Sequence, residues 1–283
     1  MHQCSTPWRL PGAVVSLTDM PRLDNAVYLT HLAQESARFR AALTDADPAT
    51  TVPGCPAWLS DDLLWHLTEV QGFWSWVVTH RPDGPDAYEQ PVRPPTRAEA
   101  LALFDQRSAT LQEALAGVDP AAKAWTWSED HTVGFIVRRQ ALEALVHRLD
   151  AEQTIGQVTP MDAALAADGV DEVLDVMFGR VPEWGEFSPL PHYLRVDCRD
   201  TEGSVWVQLG RFSGIDPQDE VPYAEDDIAV VADPGVEPEA VISGRAETLL
   251  ARLWRRGDGA DIHLAGDMEI IDRFRNAIHH PID

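Results

Sequence analysis

Positive charge is what this 283-residue chain has least of: 22 Lys+Arg stand against 46 Asp+Glu, a formal net charge of −24 and a pI near 4.6. A surface so acidic repels phosphate backbones and anionic headgroups, so neither nucleic acid nor a membrane is an expected partner. Cysteine is scarce as well. Cys4, Cys55 and Cys198 are odd in number, widely spaced and contain no CxxC pair, which excludes a disulfide framework and a cysteine-rich zinc site. No stretch approaches the run of about 18 apolar residues that a spanning helix needs. Residues 1–20 carry Pro7, Pro11 and Asp19 where a signal peptide requires an unbroken apolar core. The expected location is the cytoplasm, with residues 1–20 as a flexible extension and Met20 as a candidate start. Internal repeats and low-complexity segments are also missing.

What remains is an ordinary globular composition, 45% apolar and 24% charged, with the acidic excess spread along the chain rather than held in a tail. Apolar residues at helical spacing predict a first helix over residues 24–46. A Pro-rich link, Val52-Pro53-Gly54-Cys55-Pro56, follows. Ser60 is a candidate N-cap, with Asp61 and Asp62 in the first turn of a second helix that runs to His80. Residues 81–95 hold too many prolines for a helix interior. Thr96 with Glu99 forms a capping-box signature for a third helix reaching Val118, and Ile136, Val137, Leu142, Leu145, Val146 and Leu149 mark a fourth over residues 133–152. Thr159-Pro160 is read as the start of a fifth helix reaching Gly179. Past Pro182 the pattern turns to alternation: a hairpin across Thr201-Glu202-Gly203, further strands at 228–231, 240–242 and 262–264, and helices at 246–254 and 268–277. The expected fold is therefore α plus α+β: a four-helix bundle with an additional helix over residues 21–182, and a small α+β domain over 183–283.

Chemistry-bearing residues concentrate on helices two and four. Glu143 and His147 lie at i and i+4, on one face one turn apart, and His66 sits on the apolar stripe of helix two with Leu63, Val70 and Phe73. Two imidazoles and a carboxylate from facing helices are a three-ligand zinc set with one open position, the pattern of a catalytic rather than a structural site. Spacing alone has little discriminating power, since among 10 His and 46 carboxylates such an i, i+4 pair arises about once or twice by chance. Two other readings stand beside it: core histidines satisfied by hydrogen bonds, and Glu143 in a salt bridge with Arg139 or Arg148.

Two blocks of the sequence resemble a known family. Val52-Pro53-Gly54-Cys55-Pro56-Ala57-Trp58 through Asp62-Leu63-Leu64-Trp65-His66-Leu67, and Arg138-Arg139-Gln140 through Glu143, His147-Arg148-Leu149-Asp150-Ala151-Glu152, are similar to the two helical signatures of the mycothiol-dependent maleylpyruvate isomerase family, within the DinB-like metal-binding bundles. Leu253-Trp254-Arg255-Arg256 and Gly266-Asp267 resemble elements of its C-terminal α+β domain. Ala57, Gln140, Leu142, Leu149 and Arg255 depart from the family pattern, and none of them is a proposed ligand. The resemblance spans residues 22–280. It implies a divalent metal, zinc, on His66, Glu143 and His147, with mycothiol as a low-molecular-weight thiol co-substrate. It also matches Arg256 to the family's C-terminal arginine, a candidate for binding a substrate carboxylate. The alternative for Arg256 is a solvated charge at a helix end.

A thiol at the open position of such a site is deprotonated at neutral pH, and its thiolate attacks a small electrophile. Addition to an electrophilic carbon gives S-transfer; addition to a conjugated cis double bond, rotation and elimination give isomerisation. The expectation is thus a thiol-using transferase or isomerase. The competing readings are a non-catalytic metal-binding or regulatory protein and a metal-assisted hydrolase. Asp150, three residues after His147, is expected either to orient that imidazole or to pair with Arg148 or Arg139. Cys55 is read as a small buried hydrophobe rather than a nucleophile. Phe73, Trp74 and Trp76 are read as packing residues, and His279 and His280 as solvated.

Overall fold

The computed structural model describes residues 22–201, 203–218 and 220–280; the expected extension, Met20 and Cys4 lie outside the described residues. The first half holds α1 (Asn25–Thr44), α2 (Ser60–His80), α3 (Arg97–Leu115) and α4 (Val133–Thr154). Each packs against two of the others, α1 on α3 and α4, and α2 on α3 and α4. Local chemistry sets the ends. The Thr132 hydroxyl accepts the Phe135 N–H at 3.2 Å, and the Thr96 hydroxyl accepts the Glu99 N–H at 3.3 Å. Ser60 differs from expectation. It is the first helical residue rather than the cap, and its buried hydroxyl accepts from Arg97, while the Leu59 N–H is satisfied by the Asp62 carboxylate at 3.0 Å. The Pro-rich link is also more ordered than its composition suggests. Thr51–Val52 (β1) and Cys55–Leu59 (β2) pair antiparallel across Pro53-Gly54, a two-stranded ribbon in which Pro56 is tolerated because one edge is unpaired.

Helix α4 is covered on nearly every side. Along with Ile136, Leu142 and Leu145 it buries Arg138, Arg139, Arg148, Asp150 and Glu152. Buried charges persist only when paired and hydrogen-bonded. Arg138 reaches both Asp168 (3.0 Å) and Asp171 (2.7 Å); Arg148, fully buried, reaches Glu35 (2.7 Å) and Glu152 (2.9 Å). That last cluster explains the second departure from expectation. The N–H and the hydroxyl of Thr159 both donate to Glu152 at 2.8 Å, and the hydroxyl oxygen accepts from Arg38 rather than from a helix N–H. Instead α5 (Ala163–Glu172) is capped by Asp162, whose carboxylate accepts the Leu165 N–H at 3.0 Å, and the chain continues as a π-helical turn, Val173–Phe178.

The second half is built on a five-stranded sheet of order β5-β4-β3-β6-β7, from β3 (Gly185–Cys198), β4 (Gly203–Ile215), β5 (Pro222–Val231), β6 (Ala240–Gly244) and β7 (His263–Gly266). β3 and β4 form the expected hairpin, with Cys198 opposite Gly203, and β3 pairs parallel with β6. Helices α6 (Ala246–Leu253) and α7 (Met268–Ala277) pack onto this sheet, and α5 packs against α6 and β4. The chain therefore combines seven α-helices with a mixed sheet among its described residues. His280 is not solvated as expected; it is half-buried, edge-on to Phe178 at 5.3 Å.

Replacing Arg148 by Leu removes the one fully buried cation of this cluster and leaves Glu35 and Glu152 with only the half-exposed Arg38, at 3.2 and 3.5 Å, as a positive partner. Urea unfolding of Arg148→Leu is expected to show a loss of about 3–5 kcal/mol relative to the wild type.

Candidate metal centre

Helix α2 brings His66, and α4 brings Glu143 and His147, to one wall of a cavity of about 590 Å³. One ligand atom from each of the three lies within 4.8 Å of the other two. Glu143 Oε1 is the meeting point: His66 Nε2 stands 3.2 Å from it and His147 Nε2 3.1 Å. Two ligands held at about 2.0–2.1 Å from a tetrahedral zinc are separated by about 3.3 Å, close to the spacing of Glu143 Oε1 from each imidazole nitrogen. The second oxygen, Oε2, accepts from Arg139 at 2.9 Å, and Arg139 in turn pairs with Glu172 at the end of α5. Trp58, from β2, lies against the His66 ring at 4.7 Å between centroids and restricts its orientation. The structure thus brings together the three residues singled out as ligands, and it brings Arg139 to Glu143 as well, so both readings of Glu143 describe contacts that coexist on different oxygens.

His147 is held from behind. Its Nδ1 is 3.0 Å from Asp150 Oδ2, a contact that makes Nδ1 the donor and leaves Nε2 facing Glu143. Asp150 is fully buried and is gripped in turn by Arg256, Nε to Oδ1 at 3.0 Å and Nη2 to Oδ2 at 3.1 Å. Asp150 therefore both orients the imidazole and forms an ion pair, but the partner is Arg256, 106 residues away, rather than Arg148 or Arg139. Nor is Arg256 a solvated helix-end charge: its side chain is 9% exposed, lines the cavity, and donates from Nη1 to the Trp254 carbonyl at 2.6 Å. Cys55 is half-buried in the same cavity, its sulfur 3.1 Å from Arg256 Nη2, so it is polar in its contacts rather than a simple hydrophobe. Gly54 is required here by close approach. A Cβ at that position would stand 2.6 Å from Asp150 Oδ1 and 2.8 Å from Arg256 Cγ.

Sequence reasoning did not single out Trp58, Gln140, Trp127 or Met177 as cavity residues, although all line it. Trp74 does both jobs, packing in the core and lining the cavity, whereas Trp76 stacks on His80 at 4.0 Å. Glu172 carried no signal at all in the sequence, since its pairing with Arg139 depends on where α5 docks.

The electrostatics follow from these contacts. Burial works against ionisation of Glu143, but the adjoining His147, the hydrogen bonds from both imidazoles and the Arg139 guanidinium hold its carboxyl well below the ordinary carboxylate range. Burial would likewise lower His147, yet Glu143 on one side and Asp150 on the other raise it from 6.5 to about 9. Asp150, despite burial, is held below its usual value by the same imidazole and by Arg256.

The family model for the mycothiol maleylpyruvate isomerase N-terminal domain matches residues 29–152, and the model for the C-terminal domain of the same family matches residues 164–273. Among solved structures, a histidine-to-alanine mutant of the mycothiol-dependent maleylpyruvate isomerase is similar over 86% of this chain and 93% of its own, with 15% identity and a TM-score of 0.51. The structure without that substitution is similar over the same shares of the two chains, with 15% identity and a TM-score of 0.49. At that identity the likeness is one of fold. No curated protein matches the chain.

With no metal bound, the His147 imidazolium stabilises the fold. Because its pKa in the fold is raised, that contribution is complete below the ordinary histidine value and is lost as pH climbs from 6.5 through about 9. An NMR titration of chelator-treated protein is expected to place His147 near 9, and denaturation midpoints are expected to fall across the same interval.

Proposed function

The chain belongs to the mycothiol maleylpyruvate isomerase family, and from that premise we propose that it is an enzyme that uses a low-molecular-weight thiol, mycothiol, to attack a small electrophile, by S-transfer or by cis–trans isomerisation. The observation that carries this reading is the convergence of His66, Glu143 and His147 on one point of a large cavity, with spacings that suit a divalent metal. When bound there, such a metal, zinc in our reading, supplies a Lewis-acid centre at which a thiol loses its proton near neutral pH.

The residues do the rest. His66 and His147 present Nε2 to the centre, and Glu143 presents Oε1 and lowers the net charge of the site. Asp150 holds the His147 ring in the tautomer whose Nε2 carries a lone pair. Arg139 keeps Glu143 Oε2 occupied, which favours one-oxygen ligation. Arg256 is assigned to the substrate: a guanidinium has five N–H groups, and after Asp150, Cys55 and the Trp254 carbonyl one N–H of Nη1 is left for an anionic group of the electrophile. Trp58, Trp74 and Trp127 give the cavity walls an apolar, aromatic character that excludes water from the attacking sulfur. The same reading places the site between a DinB-like helical bundle, residues 21–182, and an α+β domain, residues 183–283, because Arg256 comes from the second part and the three ligands from the first. It also keeps the protein in the cytoplasm, where the thiol is reduced.

Metal analysis of protein purified without chelator is expected to give about one zinc per chain, and His147→Ala to give far less. With cobalt substituted for zinc, adding mycothiol is expected to produce a sulfur-to-cobalt charge-transfer band. Bound cobalt without that band would favour metal-assisted hydrolysis, and absence of metal from the wild type would overturn the reading.

A further inference from the structure

A second cavity, of about 450 Å³, lies within the C-terminal half between α6, the β6–β7 edge and α7. That volume suits a small organic molecule. Its interior is apolar, formed by Ile242, Leu249, Leu253 and Phe274, all from the buried core of the sheet and its helices. Its rim is not. Arg252, Arg255 and Arg275 all line it, in a chain with more than two acidic residues for every basic one.

The pairing of those arginines is unequal. Arg275 is paired with Asp272 at 3.0 Å. The Arg252 side chain makes no ion pair or hydrogen bond among the described residues, and Arg255 spends Nη2 on the carbonyls of Ile278, His279 and His280 without meeting a carboxylate. Asp258 also lines the cavity, but its Oδ1 is turned to the Ala260 N–H at 3.1 Å. The carbonyl end of α6 favours a cation at Arg252, though only with a fraction of a unit charge. Among the other described arginines most have an acidic partner, as Arg138, Arg139, Arg148 and Arg256 do; here two guanidiniums without one border an apolar hollow. Gly259, at φ +72°, faces both the Arg252 stem and Ile262, and a Cβ there would stand 3.1 Å from each.

We propose that this cavity binds a small organic carboxylate with a flat or compact apolar body, the carboxylate on Arg252 and Arg255 and the body against Leu249, Leu253 and Phe274. Guanidinium and carboxylate match in geometry and charge, and the apolar area removed from water supplies the remaining affinity. Arg255 also lines the metal cavity, so the two sites share a wall. The proposal needs neither the metal nor the thiol.

Calorimetric titration of the full chain with 1-naphthoate tests it. One saturable site is expected, with affinity about tenfold or more above that for the neutral 1-naphthalenemethanol. Arg252→Glu, an exposed substitution whose folding is checked by circular dichroism, is expected to weaken naphthoate binding by at least about tenfold while leaving the neutral alcohol unchanged; Arg252→Lys, which keeps the charge but loses the planar fork, is expected to fall between Arg252→Glu and wild type. His66→Ala is expected to leave the titration unchanged, which separates this site from the metal cavity. Absence of saturation at millimolar naphthoate, equal affinity for acid and alcohol, binding unaltered in Arg252→Glu, or binding lost in His66→Ala would overturn the proposal.

Discussion

Helix α4 has to bury charge, and the rest of the molecule is arranged around that constraint. Covered by α1 and α2 on one side and by α5 and the second half on the other, it carries arginines and carboxylates that would each cost several kcal/mol if left unpaired. The solutions differ along its length. Near its start Arg138 is matched by two aspartates of α5, and near its end Arg148 is matched by Glu35 of α1 and by Glu152. Between them lies Glu143, with one oxygen given to Arg139 and the other shared by two imidazoles. It is the least conventionally paired of the set, and it faces the cavity.

From that oxygen a chain of contacts runs to the other half of the protein: Glu143 to His147, His147 to Asp150, Asp150 to Arg256. Each link fixes the one before it. Arg256 holds Asp150 in a two-point grip, Asp150 sets the tautomer and orientation of His147, and His147 with His66 aims two nitrogens at Glu143. Gly54, in the β1–β2 turn, leaves the space in which Asp150 and Arg256 meet. The hairpin that follows it delivers Trp58 to the His66 ring. A site built this way is held by elements from both halves of the chain, and its precision depends on how they dock.

Much of this is legible in the order of the residues alone. Helix α4 and its i, i+4 pair follow from apolar spacing, α3 from Thr96 and Glu99, the β3–β4 hairpin from alternation across a turn, and α7 forms over the residues expected. Local signals fail where a side chain has a stronger distant partner. Thr159 has the chemistry of a helix cap, but it donates to Glu152 and its hydroxyl oxygen accepts from Arg38; the Ser60 oxygen likewise accepts from Arg97. The β1–β2 ribbon is hidden by prolines that a paired interior strand would not accept. The Asp150–Arg256 pair and the Arg139–Glu172 pair lie beyond any local pattern, because burial, not sequence spacing, dictates which charges must meet. The family resemblance points to Arg256 as a site residue; its contact with Asp150 is visible only in the folded chain.

The central claim is that Glu143 Oε1 and the two imidazole nitrogens form a coordination site rather than a self-sufficient hydrogen-bonded cluster. Anomalous diffraction at the zinc edge, from crystals grown without chelator, addresses it directly. The account predicts a single strong peak about 2.0–2.2 Å from His66 Nε2, His147 Nε2 and Glu143 Oε1, with Asp150 still bound to His147 Nδ1. A zinc peak elsewhere, or a zinc-soaked crystal in which both imidazoles remain hydrogen-bonded to Glu143 with no peak between them, would contradict it.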